Sequence, residues 1–181
     1  MNTKRDTNDR MEEGRCALQA QLDGHKTQAE RNKLGQFATP TQLARNVLSY
    51  GLRLLPKGEG VRFLDPAIGT GSFYSALRST CRRRPLIWAR GFEIDLHYGL
   101  PAQELWSDTP LEITMGDFTR QTQPAKDAER ANLLICNPPY VRHHHLSGPD
   151  KVRLQEAADS AAQVKLSGLA GLYCYFMALA H

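Results

Sequence analysis

The sequence has few cysteines, and no two of them lie close together in the chain. Four are spread over 181 residues without a Cys-x-x-Cys pattern: Cys16, Cys81, Cys136 and Cys174. This sparseness argues against a disulfide framework and against a zinc site built on paired cysteines. No stretch approaches the roughly 18 to 20 apolar residues of a membrane span, and the amino-terminal residues lack the apolar core of a secretory signal. We therefore expect a cytoplasmic protein with reduced thiols.

Two phosphate-binding patterns are also missing. No Gly-Lys-Ser or Gly-Lys-Thr is present to form a P-loop. Gly69 and Gly71 are followed by Tyr74, where a dinucleotide-binding Gly-x-Gly-x-x-Gly pattern requires a third glycine. This turn is therefore suited to a nucleoside ligand that carries no phosphate.

The composition is that of one globular domain with a short appendage. Hydrophobic residues make up 41% of the chain and charged residues 23%, which allows a core and is unlike disordered proteins. Residues 1–33 contain seven Lys/Arg and six Asp/Glu, and we interpret them as a charged, partly helical leader. The net charge of +4 is a mild indication of a polyanionic partner.

From residue 61 onward, short apolar runs alternate with helical windows. Strands are predicted at residues 61–65, 85–93, 111–115 and 131–136, and helices at residues 71–81, 101–106, 148–162 and 169–181. Pro101 is expected in the first turn of its helix. Strands that alternate with helices require right-handed crossovers, which produce a parallel sheet covered on both faces. The predicted fold class is therefore α/β.

Acidic residues follow three of the predicted strands. In an open parallel sheet, ligands bind beyond the carboxyl ends of the strands, where Asp65, Glu93 and Asp117 occur. Glu93 is placed to accept hydrogen bonds from ribose hydroxyls, and Asp117 from an adenine amino group packed against Phe118. This acidic rim suits a cationic nucleoside, and the sulfonium compound S-adenosylmethionine fits that description.

The fourth predicted strand is followed by the turn Asn137-Pro138-Pro139-Tyr140. An exocyclic amine on a base ring is a poor nucleophile because its lone pair is delocalised. If the Asn137 side-chain oxygen and the Pro138 carbonyl each accept one N–H, the lone pair is directed at the methyl group. Tyr140 supplies a ring on which a flipped base can stack. The turn is therefore suited to methylation of an amine.

At these residues the sequence resembles the gamma-class amino-group DNA methyltransferases, which form N6-methyladenine. Five motifs occur in the order of that class, at residues 35–40, 65–73, 91–95, 116–118 and 137–141. The resemblance implies a Rossmann-like, S-adenosylmethionine-dependent methyltransferase domain over residues 34–181. It also implies an adenine-specific enzyme acting on a base flipped out of double-stranded DNA, as part of a restriction-modification or related system.

The strand ends and the resemblance together nominate the site residues. The cofactor-binding set is Gln36, Phe37, Ala38, Thr39, Asp65, Ala67, Gly69, Gly71, Phe73, Glu93, Asp117 and Phe118. The catalytic set is Asn137, Pro138 and Tyr140, with Pro139 and Arg142 as substrate-binding residues. No metal site is expected, because three adjacent histidines at 143–145 cannot converge on one ion from a regular backbone.

Other interpretations of the same residues remain open. The Asn-Pro-Pro-Tyr turn also occurs in protein glutamine N5-methyltransferases, although the motif at 35–40 favours DNA. A non-catalytic fragment that binds cofactor or a partner chain is a third interpretation. Members of the resembled class continue into further strands and a target-recognition domain. We therefore expect a sheet truncated after the fourth strand and a chain that is inactive without a complementary polypeptide.

Overall fold

The computed structural model describes residues 3–81 and 83–181. The strands are β1 (Val61–Asp65), β2 (Leu86–Glu93), β3 (Leu111–Met115) and β4 (Leu133–Leu134). The helices are α1 (Thr3–Gly24), α2 (Gln28–Leu34), α3 (Thr41–Leu54), α4 (Ser72–Thr80), α5 (Leu96–Leu105), α6 (Gly148–Ala162) and α7 (Leu172–Leu179). All pairings are parallel, in the order β3-β2-β1-β4, and helices lie on both sides of the sheet. The α/β prediction is confirmed.

The core forms where β1 and β2 pack against the helices around them. Residues alternate along β1, so that Val61, Phe63 and Asp65 are buried. The adjacent helices add aromatic and aliphatic side chains, the largest of which is Trp106, directly after α5. Its indole Nε1 donates a hydrogen bond to the Thr70 carbonyl at 2.9 Å. The core is therefore continuous with the turn that follows β1.

Strand β4 is shorter than the sequence predicted. The apolar run at 131–136 was expected to form a six-residue strand, but only Leu133–Leu134 pair with β1. At Asn132 the backbone N–H still donates to the Arg62 carbonyl at 3.1 Å, but the Arg62 N–H donates to the side-chain Oδ1 of Asn132 at 2.8 Å. The Nδ2 of Asn132 donates to the Gly60 carbonyl at 2.8 Å. Side-chain bonds of this type compete with the regular ladder.

Helix α5 begins earlier than predicted. The sequence placed Pro101 in the first turn of a helix over 101–106, whereas the helix starts at Leu96 and contains Pro101 in its interior. The side chain of Asp95 accepts from the His97 N–H at 3.0 Å and caps the helix at its true start. Capping by Asp95 therefore outweighs the positional preference of proline.

The charged leader is helical and packed against the fold. Helix α1 contacts α4 and α5, and α2 begins with a capping box in which Thr27 and Glu30 satisfy each other's backbone N–H groups. Residues 1 and 2 of the leader lie outside the described residues. Leu22 of α1 is buried, and so are the charged side chains of Glu12 and Arg15. The leader therefore belongs to the same packed unit as the sheet.

Helix α7 is the most apolar helix, and one side of it is covered. Tyr175 and Phe176 are buried, and Tyr175 packs with Leu154 and Ala158 of α6. Met177 on the same helix is exposed. Within the two described ranges, no helix is both long enough and apolar enough to cross a lipid bilayer.

Candidate active site

A cleft of about 870 Å³ opens at the carboxyl ends of the first three strands. It brings together segments that are far apart in the sequence, including the turn after β1, the end of β2 and the residues after β3. Ten of the predicted site residues line it: Gln36, Phe37, Ala38, Ala67, Gly69, Glu93, Asp117, Phe118, Asn137 and Pro139. We call this depression the cleft.

The two glycines of the turn after β1 have different roles. Gly69 has φ +55°, and a Cβ built there meets no atom within 4 Å, so the backbone is bare toward open space. Gly71 has φ +90°, and a Cβ there would lie 2.5 Å from Trp106 Nε1. Gly69 therefore allows close approach of a ligand, whereas Gly71 is required by packing. Phe73, on the following helix, is buried in the core rather than exposed in the cleft.

Glu93 ties the end of β2 to the glycine turn. Its Oε2 accepts from the Gly69 N–H at 2.9 Å, and its Oε1 accepts from the Asp95 N–H at 2.9 Å. Burial raises the pKa of Glu93, although these two backbone hydrogen bonds oppose the rise. A carboxylate has about four acceptor positions, so two remain for the hydroxyls of a ligand. The side chain is thus held in place before any ligand binds.

Asp65 lies beneath the cleft and does not line it. Its side chain is 1% exposed, and Oδ1 accepts from the Ala67 N–H at 3.2 Å. Burial raises the pKa of Asp65 to about 8; the Ala67 hydrogen bond opposes this rise, and the nearby Glu93 carboxylate contributes to it. Asp65 therefore supports the turn through the Ala67 N–H and does not itself line the cleft.

The residues after β3 combine a carboxylate with an aromatic wall. Asp117 Oδ1 accepts from the Thr119 N–H at 2.9 Å and from the Thr119 hydroxyl at 2.7 Å. Asp117 Oδ2 lies 3.6 Å from Arg153 Nη2, which also hydrogen-bonds to Thr119 at 3.1 Å. Phe118 is buried beside Phe176 of α7, with ring centroids 5.5 Å apart. An amino group bound at Asp117 would share the carboxylate with these partners.

The Asn-Pro-Pro-Tyr turn is fixed by the segment at 35–38, about one hundred residues earlier. Asn137 Nδ2 donates to the Phe37 carbonyl at 2.9 Å, and the Tyr140 N–H donates to the Gly35 carbonyl at 3.3 Å. Gly35 has φ +63°, and a Cβ there would overlap the Tyr140 backbone nitrogen. A backbone carbonyl only accepts hydrogen bonds, so the amide nitrogen of Asn137 faces Phe37 and its Oδ1 stays available as an acceptor.

A second depression, which we call the edge groove, lies beside β4 and has a volume of about 450 Å³. Its lining is mainly apolar: Val47, Leu134, Ile135, Cys136, Pro138, Tyr140, Tyr173, Phe176, Met177 and Ala180. Asn137 and Pro139 line the cleft, whereas Pro138 and Tyr140 line the edge groove. The Asn-Pro-Pro-Tyr turn therefore lies between the two depressions. Of the other nominated residues, Thr39 is buried and Arg142 is exposed outside both.

Sequence reasoning missed one wall of the cleft. Gln19, Asp23 and Lys26 of the leader line it, and Lys26 forms an ion pair with Asp95 beside the end of β2. The Tyr98 hydroxyl donates to Asp23 Oδ1 at 2.8 Å. The spacing of Met11, Leu18 and Leu22 was the available signal, since it defines one helical face directed at the fold.

The residues present fit a cationic nucleoside. Five carboxylates line the cleft, from Asp23, Glu93, Asp95, Asp117 and Asp150, and the backbone at Gly69 is free to contact a ligand. Phe118 supplies an aromatic face at the same site. Among the described residues, no group of three or more His, Cys, Asp or Glu side chains is arranged to hold a metal ion.

The parallel sheet, the glycine turn and the acidic cleft define the fold of S-adenosylmethionine-dependent methyltransferases. A protein of Listeria monocytogenes described as a class I S-adenosylmethionine-dependent methyltransferase superposes with a TM-score of 0.62 at 19% identity, over 96% of this chain and 49% of its own. The type I restriction-modification methyltransferase subunit of Streptococcus thermophilus superposes with a TM-score of 0.58 at 15% identity, over 78% of this chain and 31% of its own. The prediction of S-adenosylmethionine as cofactor agrees with this fold.

Two sequence relatives narrow the resemblance to DNA methyltransferases. The Type II methyltransferase M.XamI of Xanthomonas campestris pv. amaranthicola is 28% identical over 80% of this chain and 26% of its own length. The Type II methyltransferase M.HincII of Haemophilus influenzae is 29% identical over 71% of this chain and 22% of its own length. This chain thus spans about a quarter of these relatives. No family model matches the chain. The predicted resemblance to DNA methyltransferases is confirmed by these relatives.

Proposed function

We propose that this chain is the catalytic part of an enzyme that transfers a methyl group from S-adenosylmethionine to the N6 amine of adenine in DNA. The observation that carries this proposal is the bond from Asn137 Nδ2 to the Phe37 carbonyl. It leaves the side-chain oxygen of Asn137, at the border of the cleft, as the acceptor for a substrate amine. The relatives named as Type II methyltransferases support DNA as the substrate and a restriction-modification setting.

The cofactor would be held by residues that are already positioned for it. When bound, S-adenosylmethionine supplies an electrophilic methyl group on a positively charged sulfur. Glu93 accepts hydrogen bonds from the ribose hydroxyls, Asp117 accepts from the adenine amine, and Phe118 packs on the adenine ring. Gly69 lets the backbone approach, while Gln36, Phe37, Ala38 and Ala67 complete the contacts. Thr39, Asp65, Gly71 and Phe73 shape the surrounding backbone.

The target base would enter at the Asn-Pro-Pro-Tyr turn. Asn137 Oδ1 and the Pro138 carbonyl each accept one N–H of the flipped adenine, which draws its nitrogen toward tetrahedral geometry. Tyr140 is 53% exposed and offers its ring for stacking. Pro139 borders the cleft, and Arg142 binds a phosphate of the DNA backbone. Because Asn137 and Pro139 line the cleft, an amine held by Asn137 would face the space in which the cofactor would bind.

The edge groove supports a requirement for a further polypeptide segment. Its apolar lining includes Met177, which is 69% exposed, and it runs beside β4, whose second edge has no pairing strand among the described residues. Unpaired strand edges with apolar neighbours bind other chains. We expect a complementary polypeptide to cover this face and to contribute the contacts that read the DNA sequence.

The function is tested by incubating the full chain, with and without the complementary polypeptide, with DNA and S-adenosylmethionine. Nucleosides from the digested DNA are then identified by mass spectrometry, and we expect N6-methyladenine only when both polypeptides are present. N4-methylcytosine as the sole modified nucleoside would overturn adenine as the substrate. Methylation of a glutamine side chain with DNA untouched would favour a protein methyltransferase instead.

A further inference from the structure

Helix α1 of the leader carries a buried ion pair that contacts the glycine turn. Glu12 and Arg15 lie one turn apart, and Arg15 Nε and Nη2 donate to the two Glu12 oxygens at 2.7 and 2.6 Å. Arg15 Nη1 also donates to Thr70 Oγ1 at 3.2 Å. A buried ion pair is weak evidence for stabilisation, because the desolvation of both charges offsets their attraction. The contact of Arg15 with Thr70 therefore suggests a role for the ion pair other than stabilisation of the fold.

The contacts of Glu12 keep this pair charged and in place. The Thr41 hydroxyl donates to Glu12 Oε1, which connects the pair to α3. Burial opposes ionisation of Glu12, but hydrogen bonds from Arg15, Ser75 and Thr41 outweigh it and lower its pKa to about 2. Arg15 thus keeps an ionised partner through the neutral pH range, and the cluster connects α1 with α3 and α4.

Thr70 is the point at which this cluster acts on the cleft. It is 1% exposed and lies between Gly69 and Gly71, both of which have positive φ. Its hydroxyl donates to Gln19 Oε1 at 2.7 Å, so two side chains of α1 hold one threonine. Glycine has the greatest backbone freedom, so a residue between two glycines needs outside contacts to fix its position. The same turn also sets the position of the Gly69 N–H, which donates a hydrogen bond to Glu93.

We propose that Arg15, supported by Glu12, is a positioning residue that holds Thr70 and thereby the glycine turn in the conformation that binds the cofactor. The inference rests on the proposed function, since the ligand of the turn is taken to be S-adenosylmethionine. The leader is accordingly a fixed wall of the cofactor site, and its residues Gln19, Asp23 and Lys26 line the cleft for that reason.

The test separates the affinity for S-adenosylmethionine from stability, by calorimetric titration and thermal unfolding of the full chain. Arg15→Met leaves Glu12 buried without its partner, so both affinity and unfolding temperature should fall, the affinity by about tenfold. Glu12→Leu with Arg15→Met removes both charges, so the unfolding temperature should recover. The affinity of this double variant should stay about tenfold weaker, because Thr70 still lacks its contact.

Variants of the turn and of the exposed face of α1 complete the test. Thr70→Val should weaken binding severalfold, and Thr70→Ser, which keeps the hydroxyl, should bind like the wild type. Arg10→Met, on the exposed face of α1, is the matched control and should change neither measurement. Recovery of affinity together with stability in the double variant would reduce the pair to a structural role and overturn the inference. A wild-type chain that binds no S-adenosylmethionine would overturn the proposed function and this inference with it.

Discussion

The cleft and the edge groove lie on opposite sides of one four-residue turn, yet they are built differently. The cleft is lined by carboxylates that already have hydrogen-bond partners, such as Glu93 with the Gly69 and Asp95 N–H groups. The edge groove is apolar and leaves Met177 and Tyr140 largely exposed. A polar site must satisfy its groups before a ligand arrives, whereas exposed apolar surface is typical of an interface. The contrast separates a polar cleft suited to a small ligand from an apolar groove of the kind found at interfaces.

The largest effect is expected from a substitution in the Asn-Pro-Pro-Tyr turn, which lies between the cleft and the edge groove. Asn137→Ala removes the proposed acceptor of the substrate amine, so the methylation rate of the active complex should fall by about 100-fold or more. Affinity for S-adenosylmethionine should change much less, because the variant reaches the proposed cofactor contacts only through the Phe37 carbonyl, which loses its bond from Asn137. Single-turnover methylation and calorimetry provide the two measurements. Normal methylation by this variant would refute activation of the amine by Asn137.

On the cleft side, Glu93→Ala should produce the next largest effect. It removes the proposed ribose acceptor and also leaves the Gly69 and Asp95 N–H groups without a partner. Affinity for S-adenosylmethionine should fall by about 2–3 kcal/mol, or roughly 30- to 150-fold. Calorimetry measures the loss, with Glu112→Ala on the exposed face of β3 as the control. Equal affinity in wild type and Glu93→Ala would remove Glu93 from the cofactor site.

On the groove side, a charge should disrupt self-association. The chain alone should associate through the apolar edge groove, and Met177→Glu should shift it toward the monomer. Leu169→Glu is the matched control, because Leu169 is similarly exposed, at 72% against 69% for Met177, but lies outside the groove. Light scattering after size-exclusion chromatography measures the mass. A monomeric wild type, or an equal shift by both variants, would contradict the assignment of this face as an interface.

Beneath the cleft, Asp65 should produce a smaller effect that depends on pH. Burial raises its pKa from 3.8 to about 8, so the folded state favours the protonated carboxyl. Its contribution to stability is therefore complete below about pH 4 and is lost as the pH rises toward 8. Asp65→Asn should flatten this decline and gain unfolding temperature relative to wild type at pH 8 to 9. Thermal unfolding from about pH 4 to pH 9 measures the decline, with Asp108→Asn at an exposed position as the control. If the unfolding temperatures of wild type and Asp65→Asn change in parallel with pH, Asp65 is not protonated in the folded state.

The sequence by itself determined the alternation of elements and the motifs at the strand ends. Apolar runs, glycine and proline act locally, so β1, the glycine turn and the Asn-Pro-Pro-Tyr turn could be located without coordinates. Local signals were weaker where a side chain replaced regular structure. Asn132 shortened β4, and Asp95 started α5 earlier than Pro101 suggested.

Only the tertiary structure decided which of these residues face the cleft. The sequence does not distinguish the roles of Gly69 and Gly71. In the structure, Trp106 packs so closely on Gly71 that no side chain fits there, whereas Gly69 has open space beside it. The sequence predicted a charged, partly helical leader, but it did not show that Arg15 is buried against a threonine 55 residues away. The reason is physical: periodicity records which face of an element is apolar, whereas a polar side chain finds its partner through contacts between elements that only the folded chain brings together.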